Sequence, residues 1–340
     1  MLLSDLGWND SFAADIDMPL KEGLLFGRIT KEFQHIFHVM CEAGELLAEV
    51  SGKFRHNAAA KGHFPVIGDW VIVEQHSGEK KATIHTMLPR KTRFSRRLTG
   101  SHRIEEQVIA ANIDTLFLVS SMDRDFNIRR LERYLTLALE SGGLPVILLN
   151  KADQAENPAD YLAKASSLDK TVSIYQISAL KNEGLDDLKQ YLQPGKTTAL
   201  LGSSGVGKST IINRLHGEEK QKVNAVRKKD CRGRHTTTAR EMIFLPNGSM
   251  LIDTPGMREL QLLLDDEYIQ KTFPEILSLT GGCRFRDCRH EHEPGCAVLA
   301  AAESGQIEIA RVENYRKIRD EVAALELKKK RQMPFKKRSN

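Results

Sequence analysis

The sequence predicts three architectures in series: an all-β barrel, a doubly wound α/β domain, and a mainly helical segment folded around a metal. Three observations carry this. Short apolar runs separated by turns occupy residues 24–88, near-continuous apolar runs alternate with amphipathic segments from residue 113, and three cysteines crowd into residues 283–296. In the middle region Asn150-Lys151-Ala152-Asp153 precedes the phosphate loop Gly202–Ser209, and Asp253-Thr254-Pro255-Gly256 follows both. An ordinary small GTPase has the phosphate loop first and Asn-Lys-x-Asp late, so this order is rotated. The fold class is therefore an α/β permuted P-loop GTPase domain, flanked by an N-terminal all-β OB-like barrel and a C-terminal zinc-binding, mainly helical domain. Boundaries are expected at 1–100, 101–263 and 264–340.

The first strands are expected at Leu24–Thr30, His35–Cys41, Leu46–Phe54, Asp69–Gln75 and Lys81–Leu88, broken by Glu42–Glu45, Gly62 with Pro65, and Gly78. Five short strands in this length suit a small OB barrel, with an SH3-like barrel as the alternative that periodicity leaves open. Phe33, Phe37, Phe54 and Phe64 either stack on bases or fill the barrel. Next, Ile113–Ser120 and Val146–Leu149 read as strands buried on both faces. Ile128–Glu140 lies between them with Leu131, Leu135 and Leu139 at helical spacing. Val172–Ile177, Thr198–Leu201 and Met250–Ile252 supply further strands of a parallel sheet. Beyond Gly256, Glu267–Leu279 and Gly305–Lys330 read as helices around the Cys/His cluster.

Composition narrows the class. A chain of 340 residues with 41% apolar content fills the cores of two or three domains. No apolar run approaches the ~18 residues of a membrane span, and Met1–Asp10 lacks the basic start of a secretory signal, so a cytoplasmic protein is expected. Five cysteines, three of them clustered, point to metal ligation and not to a disulfide framework. The net charge of +5 is unevenly placed. Arg90, Lys91, Arg93, Arg96, Arg97 and Arg103 form one basic block; Lys328–Arg331 with Lys336–Arg338 form another. Either alone reads equally as a solvated helix end or tail, but beside a GTPase they favour RNA.

The loop Gly202, Ser203, Ser204, Gly205, Val206, Gly207, Lys208, Ser209 follows a strand and opens a helix that continues through Thr210. Its glycines let backbone N–H groups close on phosphates, Lys208 reaches the β/γ-phosphates, and Ser209 holds Mg²⁺. Guanine is selected by Asp153, whose carboxylate accepts from two base N–H groups that adenine lacks. Lys151 lies along the base, Asn150 ties this loop to the phosphate loop, and Ser178-Ala179 places a backbone N–H at the guanine carbonyl. Asp253 holds Mg²⁺ through water, and the Gly256 N–H senses the γ-phosphate. Between them Gly233-Arg234-His235-Thr236-Thr237-Thr238 offers a further Mg²⁺ ligand, assigned to Thr237. Met257 stands where efficient GTPases place a water-orienting Gln, so slow free turnover is expected, with His235 the best internal substitute. Cys283, Cys288, His290 and Cys296 form a Cys₃His set suited to one structural zinc, with His292 an alternative to His290.

Barrel, permuted GTPase with Gly-Arg-His-Thr-Thr-Thr, and Cys-x4-Cys-x-His-x5-Cys, in that order, resemble the RsgA (YjeQ) family of small-ribosomal-subunit biogenesis GTPases. The resemblance spans about residues 24–320, with no departure in the nucleotide or metal motifs. It implies GTP hydrolysis to GDP, stimulated by the small ribosomal subunit and its rRNA during late maturation, with His235 catalytic and the zinc ligands as above. A monomer without membrane contact is expected. A nucleotide-gated RNA-binding module, with occupancy as the signal, is the second reading, and a GTPase acting on the large subunit the third. Attached at Ile113, the barrel is expected to couple to the guanine side, and the metal domain to the Asp253–Gly256 switch.

Overall fold

A computed structural model describes residues 1–12, 16, 20–33, 35–58, 63–97, 106–217, 240–253, 269–270 and 272–332. The N-terminal strands are β1 (Leu24–Phe33), β2 (Ile36–Cys41), β3 (Gly44–Val50), β4 (Trp70–Gln75) and β5 (Lys81–Met87). Antiparallel pairs β1–β2, β2–β3 and β4–β5 are joined by parallel β3–β5, and β1–β4 closes the barrel. With helix α1 (Gly52–Asn57) between β3 and β4, this is the OB-like arrangement. The expected third strand therefore stops early. Ser51 accepts the Phe54 N–H at 3.1 Å, an N-cap that turns the chain into a helix where alternation alone suggested more strand. Inward-facing Val39, Leu46, Ala48, Val71, Val73 and Ile84 fill the barrel. Of the four candidate stacking rings, Phe37 is core, Phe54 and Phe64 pack against it, and Phe33 is exposed.

The second half of the sheet holds β8 (Thr115–Ser121), β9 (Leu144–Asn150), β10 (Ser173–Gln176), β11 (Thr197–Leu201), β12 (Arg240–Phe244) and β13 (Met250–Asp253). Its order is β10-β9-β8-β11-β13-β12, parallel except for the last strand. Alternation is visible within single strands. Leu116 and Leu118 face one core, while Phe117 and Val119 face the other. Three helices cover the faces: α2 (Ile128–Ser141), α3 (Pro158–Ser166) and α4 (Lys208–His216). The chain runs outward from β8 to β10 and then returns to β11 on the opposite side of β8. Ligands of such sheets bind at the carboxyl ends where the direction reverses.

Three strands escaped the sequence reading. Strands β6 (Arg93–Arg97), in the first basic block, and β7 (Glu106–Ala111), just after it, pair antiparallel. Strand β12 pairs with β13 on one side and with β1 on the other, at Lys31↔Glu241 and Glu32↔Arg240. Barrel and α/β sheet are thus one eleven-stranded sheet among the described residues. Besides the attachment at Ile113, the barrel meets the α/β sheet through the strand beside Asp253.

Residues 1–12 strap this junction. Leu6 and Phe12 pack with Phe26, Trp70 and Leu88, and the Trp8 ring stands edge-on to Trp70 at 4.9 Å. Gly7 has φ +83, and a Cβ there would lie 2.3 Å from the Gly195 carbonyl oxygen, so only glycine lets the strap close.

The C-terminal region contains α5 (Pro274–Thr280), a metal-ligand loop, α6 (Ala297–Glu303) and α7 (Ile309–Gln332). Pro274 begins α5, a position where its missing N–H costs nothing. The long helix starts later than Gly305, which sits at φ +76 in the turn after α6. No helix among the described residues is long and apolar enough to cross a membrane.

Candidate nucleotide site and metal cluster

Four loops meet at the carboxyl ends of β8, β9, β10 and β11. Asn150 ends β9 and is 2% exposed. Its Nδ2 donates to the Val206 carbonyl at 2.7 Å, and its Oδ1 accepts from the Ala179 N–H at 3.0 Å. One buried amide therefore braces the phosphate loop to the Ser178 loop. The Ala179 N–H, expected at the guanine carbonyl, is engaged by Asn150 in this structure. Ser178 Oγ donates to Asp153 Oδ1 at 2.6 Å, which fixes one side of the carboxylate. Arg214 of α4 donates to the Ala179 and Leu180 carbonyls at 3.1 and 2.9 Å, a second brace that no motif announced.

In the phosphate loop Gly205 and Gly207 have φ 81 and 99. A Cβ on Gly207 would stand 2.3 Å from Asn150 Nδ2, so the close approach of the two loops demands glycine. Lys208 Nζ donates to the Gly202 and Ser203 carbonyls at 2.7 and 2.8 Å, curling the loop around its own ammonium. Ser203 and Ser204 lie in the loop, and Ser209 and Thr210 in the first turn of α4. Asp253 ends β13, in register with Leu200 of β11, and so shares the edge from which the phosphate loop departs. His235, Thr237 and Gly256 lie outside the described residues.

Asp123, just past β8, is a residue the sequence reading missed. Its Oδ1 accepts from Ser121 Oγ at 2.7 Å and the Asp125 N–H at 2.9 Å, and its Oδ2 pairs with Lys151 Nζ at 2.8 Å. Partial burial alone would raise its pKa, but hydrogen bonds from Lys151, Ser121 and Asp125 more than reverse this and hold it below the usual range.

The ligand atoms of Cys283, Cys288, His290 and Cys296 lie within 4.8 Å of one another. Cys283 Sγ is 3.7 Å from His290 Nδ1 and 3.9 Å from Cys296 Sγ, and His290 Nδ1 is 3.3 Å from Cys296 Sγ. Metal bonds of about 2.0 Å to nitrogen and about 2.3 Å to sulfur place tetrahedral ligands roughly 3.5–3.8 Å apart, so the set fits one ion. His290, 3% exposed, faces the cluster, whereas His292 is exposed, so of the two histidines it is His290 that completes the Cys₃His group. Burial lowers the His290 pKa, favouring the neutral ring a metal needs. Glu293 binds the Arg289, Glu291 and His292 N–H groups, which draws its pKa down to about 2 and knots the loop. Arg319 of α7 donates to the Cys288 and Arg289 carbonyls at 3.3 and 3.1 Å.

The family model for RsgA GTPase matches residues 87–263. A protein of Opitutus terrae named small ribosomal subunit biogenesis GTPase RsgA is 43% identical, covering 95% of this chain and 90% of that one. The chain belongs to the RsgA GTPase family. A Methanosarcina acetivorans protein of the same name is 44% identical, over 93% of this chain and 84% of the relative. The crystal structure of YjeQ from Thermotoga maritima superposes with a TM-score of 0.64 at 26% identity, covering 88% of this chain and 99% of that one. YloQ, described as a circularly permuted GTPase, shares the fold at TM-score 0.62 and 24% identity, covering 89% and 96%. An RsgA-family chain is a GTPase, and the rotated motif order is the permutation of its fold.

Proposed function

We propose that this protein binds the small ribosomal subunit through rRNA and assists its late maturation, hydrolysing GTP to GDP and phosphate faster on the subunit than off it. The observation that carries the reading is Asn150, which joins the phosphate loop and the Ser178 loop at the reversal point of a permuted sheet. On this reading Asn150, Lys151, Asp153, Ser178 and Ala179 form the guanine side, and Gly202–Thr210 with Gly256 the phosphate side. Ser209, Thr237 and Asp253 serve Mg²⁺. The ion held by Cys283, Cys288, His290 and Cys296 is zinc, structural because four ligands leave no open position for water. An Mg²⁺ held by Ser209, Thr237 and Asp253 would neutralise charge on the phosphates, and the phosphate-loop N–H groups and Lys208 orient them.

His235 positions the attacking water in the subunit complex, since Met257 cannot. The protein acts as a cytoplasmic monomer. GTP turnover measured alone, with purified small subunits and with large subunits tests this. Selective acceleration by small subunits is expected, falling about 10²–10⁴-fold in His235→Ala while GTP binding persists. Unstimulated turnover with nucleotide-dependent subunit binding would favour the gated RNA-binding module, which the Met257 substitution in the sequence also suits.

A further inference from the structure

The polar side chains of Asn150-Lys151-Ala152-Asp153 divide their partners sharply. Asn150 spends both ends of its amide on bracing loops, and Asp153 accepts from Ser178. Lys151 turns the other way. Its backbone is left-handed, with φ 65, a conformation that lysine adopts only where its surroundings hold it. Its ammonium is held by Asp123 Oδ2 at 2.8 Å.

Asp123 is itself fixed before it meets the lysine. The Ser121 hydroxyl and the Asp125 N–H both bind Oδ1, leaving Oδ2 directed at Lys151. The Met122 N–H donates to the Asn150 carbonyl at 2.8 Å, so the loop carrying Asp123 is tied to the loop carrying Lys151. Both side chains are only about a quarter exposed, at 21% and 24%. An unpaired lysine with four rotatable bonds would have to be ordered when a base arrives, and that ordering weakens binding.

We infer that Asp123 is a positioning residue for guanine recognition: it pre-sets the Lys151 stem beside the base site and so sets affinity for guanine nucleotides. The inference rests on the guanine reading of Asp153 and Lys151 proposed above. It is distinct from a merely structural ion pair, because its effect is confined to ligands whose base lies against Lys151.

Full-length protein is titrated with a fluorescent GDP analogue and competed with GTP, GDP and ATP. Asp123→Ala is expected to weaken GTP and GDP alike by about 5- to 20-fold and to leave ATP unchanged. Lys151→Met lowers guanine affinity by a similar factor, and the double variant is no weaker than Lys151→Met alone, as two groups acting through one contact require. Asp123→Asn, which keeps the shape and the Ser121 and Asp125 contacts, falls between wild type and Asp123→Ala. If Asp123→Ala does not fold, Asp123→Asn carries the test, and a guanine loss below about twofold overturns the role. Equal losses for GTP and ATP, or effects that multiply in the double variant, also overturn it. Asp153→Asn separates the two levels. If that variant keeps full GTP affinity, the guanine reading fails; if it loses affinity while Asp123→Ala does not, only the positioning role fails.

Discussion

The α/β domain is held to its two neighbours by different chemistry, and each junction is centred on an arginine, one buried and one half-buried. At the barrel side Arg28, 2% exposed, donates to the carbonyls of Leu6, Gly68 and Asn112. At the C-terminal side Arg311 of α7 meets Glu132 of α2 at 2.5 Å, binds Glu275, and donates to the Leu168 and Thr272 carbonyls. Asn314 completes Glu132, and Arg129 pairs with Glu313 at 2.7 Å. Carbonyls do not titrate, and although burial lowers the Arg28 pKa to about 10, the guanidinium remains charged at neutral pH. Glu132 does titrate. The barrel junction, reinforced by β1–β12 pairing and aromatic packing, is built to stay shut, whereas the C-terminal junction depends on a carboxylate and on the loop that carries the Cys₃His group.

Emptying the Cys₃His site should separate the two junctions most. Structural zinc contributes apparent folding free energies of roughly 10–16 kcal/mol in small zinc modules. Chelation, or Cys288→Ala, should therefore loosen residues 281–300 and the start of α7, while β1–β12 and GTP binding persist. Hydrogen exchange read by peptide decides the matter. Equal loss of protection on both sides of the α/β domain would mean that the junctions are not independent.

Arg28→Met comes next. It strands several buried carbonyls, and losses of this kind cost about 3–5 kcal/mol. Urea unfolding should show that loss, with the barrel strands and residues 1–12 exchanging fastest. An unchanged midpoint would remove Arg28 from the junction's energetics.

These two junctions also mark the limit of what the sequence could tell. The phosphate loop and Asn-Lys-x-Asp were legible because backbone and base chemistry fix both residue type and spacing. The Cys₃His set was legible because few other arrangements need three cysteines within so short a stretch. Strand β12 was not: Arg240–Phe244 is brief, begins with two charged residues and follows a basic segment, so nothing local distinguishes it from loop. Leu46–Phe54 was read from alternation alone, and the cap by which Ser51 turns the chain into α1 is visible only in the fold. Glu132 reads as an ordinary polar position on α2, and its burial depends on Arg311, far along the chain. Asp123 belongs to no motif, and only the folded loops bring it to Lys151.

Arg311→Met tests the C-terminal arginine against the N-terminal one. It leaves Glu132 without its cation, but Glu132, unlike a carbonyl, can take up a proton. The cost should therefore depend on pH, about 3 kcal/mol near pH 8 and roughly half that near pH 5.5. Arg28 is reached by Asp69 and Asp114 through charge at a distance, so Arg28→Met should vary less between the two pH values. Denaturant titrations at the two pH values separate the cases, and a pH-independent Arg311→Met loss would show that Glu132 stays ionised.

The smallest effect belongs to Glu132 in the unaltered protein. Burial pushes its pKa up from 4.5 to about 7, outweighing the pull of Arg311 and the Asn314 hydrogen bond. The folded state then keeps a proton up to about pH 7 that the unfolded chain releases near 4.5. Between those values the folded state binds more protons, so this group's contribution is present at low pH and is lost as pH rises through the window. The expected decline is on the order of 2 kcal/mol, small beside the metal and the arginines. Glu132→Gln removes the titration while keeping the shape and an acceptor for Arg311, and should flatten that part of the stability profile. Arg28→Lys, which keeps a cation among carbonyls, should leave the slope as it was. If Glu132→Gln leaves the slope between pH 5 and 7.5 unchanged, the carboxylate is ionised throughout. The two junctions then differ in the charge of their partners but not in their response to acid.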